Sequence, residues 1–326
     1  MKTKAFYSAR CLAMLSLAAF LPIGFIACNN EDEQGEEVPT PTSKHAGFTV
    51  NDSGLRVVFA PGNLQATYDG SNWTWAFAAN QWDYIGGYDG DSPYHNNTGN
   101  NYINGIGTMS AKGTVDLFGW VGASCEWTGV AMYGISNSTW GAYNRYGNKP
   151  TESLKSDWGN VFTNSSFAWR TLTNDEWTYV FYRRNASNVN NIPNARFVMA
   201  TVAGKAGVIL FPDNYVHPNG ITPPANINKD RTGTTYKDNS IYDATEWGKM
   251  EAVGCVFLPA AGSRIGSNVY DYSDLPSGDY WSSTPNPGSV GKWGAYVVSF
   301  DWGGLYVSNY SIRYEGHSVR LVRQVE

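Results

Sequence analysis

Leucine is scarce in this chain while aromatic rings abound, and that imbalance limits what its core can be. Only ten Leu follow residue 27, against 13 Trp, 21 Tyr and 14 Phe in the full 326 residues. Large planar rings must therefore supply much of the buried area. With 35 Gly and many Asn besides, the composition predicts a loop-rich fold and excludes a helical bundle.

The first residues say where such a chain works. Lys2, Lys4 and Arg10 precede an uncharged stretch from Cys11 to Ala27, about 17 residues interrupted by Pro22, which is at the lower limit for spanning a bilayer. A basic start, an apolar segment and a small residue before the cut make a secretory signal of residues 1–27. Cys28 at the first mature position makes it resemble a bacterial lipoprotein signal, with Phe25 where Leu is usual. That resemblance implies diacylglycerol on the Cys28 thiol and a further chain on the new amino terminus. Two or more acyl chains anchor a protein to a membrane stably.

Residues 28–46 read as a tether. Glu31-Asp32-Glu33, Glu36-Glu37 and Val38-Pro39-Thr40-Pro41-Thr42 hold a segment extended through charge repulsion and proline stiffness. An acidic cluster just after the lipidated Cys also resembles the export signal of Bacteroidota lipoproteins. The expected address is the outer membrane, facing the cell exterior. Three of the 23 Lys and Arg leave with the leader, so 20 face 28 Asp and Glu and the mature formal charge is −8. No basic run exists to hold nucleic acid.

Residues 47–326 are read as one domain. Leu55–Phe59 is a predicted strand, with a turn at Pro61-Gly62-Asn63. Trp73, Trp75 and Phe77 alternate, which is strand periodicity with an aromatic face. Residues 86–107 read as a long surface loop, and Gly113–Val121 as a buried strand or turn. Thr173-Asn174-Asp175-Glu176 is a capping box opening a helix whose Trp177, Val180 and Phe181 share a side. Arg183 and Arg184 would suit its negative end. A second helix spans Asp243 to Val253, with Gly254 ending it. Strands are predicted at Cys255–Leu258, Ala295–Phe300, Gly304–Ser308 and Ser318–Val322. With helices in the middle and short strands at both ends, the class is α+β.

Several segments resemble the Fibrobacter succinogenes major paralogous domain. They are Trp169–Thr173 leading to Glu176-Trp177, Val256–Arg264, Tyr280–Thr284, and the close at Arg313–Gly316 with Ser318–Arg323. The resemblance is strongest over 169–323. More distantly the pattern is similar to the C-type-lectin-like fold of formylglycine-generating enzymes, which implies small antiparallel sheets with two main helices. It also implies that the first and last strands pair, putting Leu55–Phe59 near Ser318–Val322.

The residues argue for binding rather than catalysis. Formylglycine-generating relatives use a reactive Cys pair near the C-terminus, whereas the mature thiols beyond Cys28 are Cys125 and Cys255. An extracytoplasmic location permits a disulfide between those two, while the apolar run Cys255-Val256-Phe257-Leu258 reads more plainly as a buried thiol. His45, His95, His217 and His317 are too scattered for a metal motif such as HExxH, and His317 reads as a surface or satisfied histidine. Ser282-Ser283 lacks a nucleophile-elbow setting. Asp83, Asp116 and Asp301 lie near aromatics and are the acids to inspect for a hydrolase, against the plainer reading of loop caps.

Exposed rings stack on sugar C–H faces while amides and carboxylates read hydroxyls. The candidate ligand residues are Tyr88, Tyr94, Trp127, Trp140, Tyr143, Trp293, Trp302 and Tyr306, with Tyr310 beside them. Trp169, Trp177, Trp247 and Trp281 are assigned to the core. Asp89, Asp91 and Asn96 offer hard oxygen ligands for calcium, although no EF-hand spacing or lectin calcium motif is present. No other cofactor is expected. The reading that follows is a lipid-anchored surface protein binding carbohydrate without catalysis. A structural or adhesive component of a surface protein assembly is the alternative, and an unrecognised hydrolase the third.

Overall fold

The two ends of the folded chain meet in one sheet. In the computed structural model, β2 (Arg56–Phe59) pairs antiparallel with β16 (Leu321–Val325), Val322 opposite Phe59. The short β1 (Phe48–Thr49) and β6 (Trp169–Thr171) complete the order β1-β2-β16-β6. This is the pairing expected for Leu55–Phe59. Closing so long a loop costs entropy that grows only slowly with its length. The closure is held by a buried guanidinium: Arg320 donates to Asn63 Oδ1 (3.0 Å), Ala60 O (3.1 Å) and Phe257 O (2.8 Å). Burial lowers its pKa to about 10, leaving it charged at neutral pH.

The structure describes residues 47–69, 71, 73–85, 113–120, 157–162, 168–230, 240–265, 268–270, 276–286, 294–301, 303–313 and 315–325. All belong to one unit, Pro39–Glu326. Among them, β3 (Leu64–Tyr68), β4 (Trp73–Phe77) and β5 (Gly113–Val115) form a sheet in the order β4-β3-β5. Trp75 and Phe77 turn inward as their alternation predicts, against Phe118, Trp158, Phe162 and Trp169.

The sequence reading missed a hairpin in the middle of the chain. β7 (Phe197–Val202) and β8 (Lys205–Leu210) are joined by Ala203 and Gly204, both at positive φ (48° and 78°). Two left-handed residues make the hairpin turn whose twist matches that of the strands. β10 (Val256–Pro259) flanks β8, and β9 (Ser240–Tyr242) lies parallel to β7. Phe197, Met199, Val208, Leu210, Val256 and Leu258 face one core; Val198, Ala200, Val202, Ile209 and Phe257 face another. A strand buried on both faces shows no polar alternation, which is why periodicity passed it over. Strands are therefore not confined to the two ends of the domain.

Both predicted helices form with their caps. α1 (Asn174–Thr178) opens on Thr173, whose hydroxyl accepts from Glu176 N while Glu176 accepts from Thr173 N. It continues as a single π turn, Tyr179–Arg183. Arg184 does serve the helix end, its Nε donating to the Val180 carbonyl of the π turn at 2.7 Å, but it does so from inside the core. It is fully buried, also donating to Phe211 O and pairing with Asp213 at 2.9 Å. α2 (Ala244–Ala252) has a second capping box, Asp243 with Glu246. It ends at Gly254, whose φ of 95° only glycine takes without strain.

The small hairpin β11 (Ser263–Ile265) and β12 (Asn268–Tyr270) precedes a last sheet. There β13 (Gly278–Asn286), β14 (Gly294–Asp301) and β15 (Gly304–Ile312) run antiparallel in that order. The described architecture is thus small, mostly antiparallel sheets with two short helices and long connections. Trp177, Trp247 and Trp281 are fully buried and Trp169 nearly so, as assigned to the core.

Candidate functional site

The last sheet carries the exposed Tyr306 and Tyr310, and a bulge decides what faces what. Cross-strand partners share a face. Ser299 opposes Tyr306 and Val297 opposes Asn309, so β15 spends three residues where β14 spends two. The extra residue at Val307–Ser308 inverts the alternation. Tyr306 and Tyr310, four apart and so expected on one side, therefore project from opposite faces.

On the first face, Asp279, Ser299 and Tyr306 form a row across the three strands, and Trp281, Val297 and Asn309 form the next. His317 packs edge-on against Trp281 (centroids 4.6 Å). Its Nε2 lies 2.7 Å from Ser311 Oγ, and Ser311 in turn donates to Glu315. His317 Nδ1 faces Asp279 at 3.8 Å and has no hydrogen-bond partner. Burial raises the Asp279 carboxyl above its usual range, against the lowering pull of His317 and Ser299. Burial also penalises the Glu315 carboxylate, but His317 and Ser311 outweigh it and its pKa falls.

These atoms include those of a Ser-His-Asp triad, but the hydrogen bonds run the wrong way for one. A nucleophilic serine gives its proton to histidine, whereas Ser311 gives its proton to Glu315 and takes one from His317 Nε2. The 3.8 Å gap to Asp279 exceeds hydrogen-bond length. The cluster ties Glu315 and His317 to Ser311 of the sheet. His317 is satisfied at Nε2, as the sequence reading had it, but it is buried rather than superficial.

On the second face, Tyr296 of β14 stands directly opposite Tyr310 of β15, and Asn286 of β13 pairs with Gly294 on the same side. Tyr310 is 52% exposed, the most exposed aromatic among the described residues. Tyr296 and Asn286 are half-buried beside it. Two neighbouring phenol rings and an amide can stack on an apolar face and hydrogen-bond its edge. Sequence reasoning named Tyr310 but missed Tyr296 and Asn286. Their partnership depends on register, for which the chain carries no local signal.

Of the residues singled out earlier, Tyr306 lies on β15, 38% exposed. Tyr88, Tyr94, Trp127, Trp140, Tyr143, Trp293 and Trp302 lie outside the described residues, as do Cys28, Cys125 and the calcium candidates Asp89, Asp91 and Asn96. His45 and His95 lie outside them too. Cys255 is a free, fully buried thiol. The three acids to inspect cap loops. Asp83 accepts from Asn80 N (3.0 Å), Asp116 from Ile85 N (2.7 Å), and Asp301 from Gly303 N and Gly304 N (2.6 and 3.1 Å). His217 bridges the Tyr215 hydroxyl and Ile221 O. Among the described residues no three His, Cys, Asp or Glu side chains are placed to hold a metal ion, and no helix is long and apolar enough to cross a membrane.

Searches with this chain against family models, curated proteins and solved structures returned no match.

Proposed function

We propose that this chain is a lipid-anchored protein of the outer cell surface that binds carbohydrate without catalysis. In this reading its domain is C-type-lectin-like and akin to the Fibrobacter succinogenes major paralogous domain. Acylated Cys28 holds the domain at the membrane, and residues 28–46 space it from the lipid. The observation carrying the reading is the cross-strand Tyr296–Tyr310 pair with Asn286 beside it, at the end of a sheet face where Tyr310 is exposed and the other two are half-buried. Stacking on a pyranose C–H face would supply affinity, and the Asn286 amide would read a hydroxyl. Tyr306 offers a second ring on the opposite face, so one domain would engage two separate sugar units rather than one.

The test is a glycan array probed with the full-length chain beside Tyr310→Ala and Tyr182→Ala. Tyr182 is also exposed, at 40%, but lies on the turn after α1. Binding that drops at least tenfold in Tyr310→Ala and persists in Tyr182→Ala supports the platform. No glycan signal, or equal signal in all three proteins, removes it.

A further inference from the structure

Among the asparagines that the structure describes, Asn219 alone precedes a glycine; the other Asn-Gly pair, Asn104-Gly105, lies outside the described residues. Asn219-Gly220 occupies a turn on the connection from β8 to β9. The flanks of that turn are fixed. Tyr215 and Ile221 are buried, and His217 ties them together through its Nδ1 on the Tyr215 hydroxyl (2.8 Å) and its Nε2 on Ile221 O (3.0 Å). The apex is left free. Asn219 and Gly220 are both exposed, and neither the Asn219 amide nor the Gly220 N–H is hydrogen-bonded to a described residue. A Cβ built at Gly220 would meet nothing within 4 Å. Glycine is nonetheless required there, because its φ is 78°.

That combination has a chemistry of its own. The side-chain carbonyl carbon of an asparagine lies within reach of the backbone nitrogen of the next residue. Attack needs that nitrogen to be unbonded and unshielded, and the side chain to be free to turn. Elsewhere one condition or the other fails. Asn51 and Asn194 are held by their Oδ1 atoms, which accept from Leu55 N and Ala186 N (3.0 and 3.1 Å). Asn63 is buried between Tyr280 and Arg320. For Asn191 and Asn214 the following nitrogen is engaged: Ile192 N donates to Val189 O and Tyr215 N to Pro212 O.

We infer that Asn219 is a site of spontaneous backbone modification, with Gly220 N as the nucleophile and water as the co-reactant. Gly220 N loses its proton to solvent and bonds to Asn219 Cγ. The Cγ–Nδ2 bond breaks, ammonia leaves, and a five-membered succinimide closes. Water then opens the ring at either carbonyl. Cleavage of the new Cγ–N bond gives aspartate, and cleavage of the original peptide bond gives isoaspartate. Both products carry a carboxylate where a neutral amide stood. Isoaspartate also inserts a methylene into the main chain between His217 and Ile221, the two residues whose hydrogen bond closes the turn. Exposed loop tips are where such change is tolerated, so the folded domain survives it. The inference stands apart from the glycan reading.

The test incubates the full-length folded chain in mildly alkaline buffer, beside Asn219→Gln and beside the parent unfolded in urea. Peptide mapping with fragmentation then assigns each change to one residue, which separates Asn219 from Asn104. In the folded parent, Asn219 should gain the mass that separates –OH from –NH2, at least tenfold faster than any other described asparagine, with isoaspartate among the products. Glutamine closes a six-membered imide more slowly, so Asn219→Gln should leave that position intact. An Asn219 that stays intact in the folded parent while it converts in urea overturns the inference, because the turn then shields it. So does conversion spread evenly over Asn51, Asn194 and Asn219.

Discussion

The sheet β10-β8-β7-β9 and the sheet β13-β14-β15 contrast in what they leave for solvent. The first lies between two cores: Val208 and Leu210 fill one while Ile209 and Phe257 fill the other. Its outer strands are three and four residues long. The second buries Val298 and Phe300 on one side and Ala295 and Val297 on the other, yet ends in a nine-residue edge strand bearing the exposed Tyr306 and Tyr310. Aromatic residues serve both sheets. In the first they are scaffold, and in the second a few are left over for partners. Burial separates the two uses, because a ring that fills a core cannot also stack on a ligand.

Substitutions in the two sheets should therefore differ in kind. The largest effect is expected at Phe257, fully buried against Trp247 (centroids 5.7 Å). Phe257→Ala should cost about 3–5 kcal/mol, while Tyr310→Ala should change stability by less than about 0.5 kcal/mol. Urea denaturation of both variants measures this, and comparable losses would erase the distinction between scaffold and surface.

A pH series sharpens the contrast at Asp279, the acid that the second sheet buries beside His317. Its native carboxyl titrates above its unfolded value of 3.8. Between those two values the folded chain holds more proton than the unfolded one. Asp279 therefore contributes stability that is fully present below pH 3.8 and lost as pH rises through the native value. Asp279→Asn removes that loss, so the variant should gain on the wild type as pH climbs from 3 towards neutrality, read from urea midpoints. Glu315, with its lowered pKa, works in the opposite sense in both proteins. A gap between wild type and variant that stays constant with pH would show that Asp279 is not strained by its burial.

The smallest effect belongs to the hairpin of the first sheet. Ala203 occupies φ 48°, which costs a non-glycine residue about 1–2 kcal/mol. Glycine gives back about 0.4–1 kcal/mol through the freedom of its unfolded chain. Ala203→Gly should thus stabilise by about 0.5 kcal/mol, visible as a small rise in melting temperature. A fall would mean that the Ala203 methyl, half-buried against the Trp247 core, matters more than its backbone strain.

Local signals in the sequence were read correctly because their physics is local. Both capping boxes span four residues, Thr173 to Glu176 and Asp243 to Glu246, and both formed. The alternating Trp73, Trp75 and Phe77 gave β4. The hairpin of β7 and β8 was lost because burial on both faces removes alternation, and because its turn is Ala-Gly where Asn-Gly would have signalled it. Arg184 meets the helix end through Val180 O as read, but its burial was missed because its ion-pair partner, Asp213, lies 29 residues away.

By itself, the chain determined a ring-filled, loop-rich domain, its helix starts, some of its strands and its acidic charge, since each follows from composition or from neighbours within one turn or strand. Only the tertiary structure decided that Tyr296 joins Tyr310 while Tyr306 turns away, that His317 is enclosed by Asp279, Ser311 and Glu315, and that Arg320 is buried against Asn63, Ala60 and Phe257. All three depend on which strands pair and in what register. A single inserted residue at Val307–Ser308 reverses every side chain beyond it, and no local propensity records where such an insertion falls.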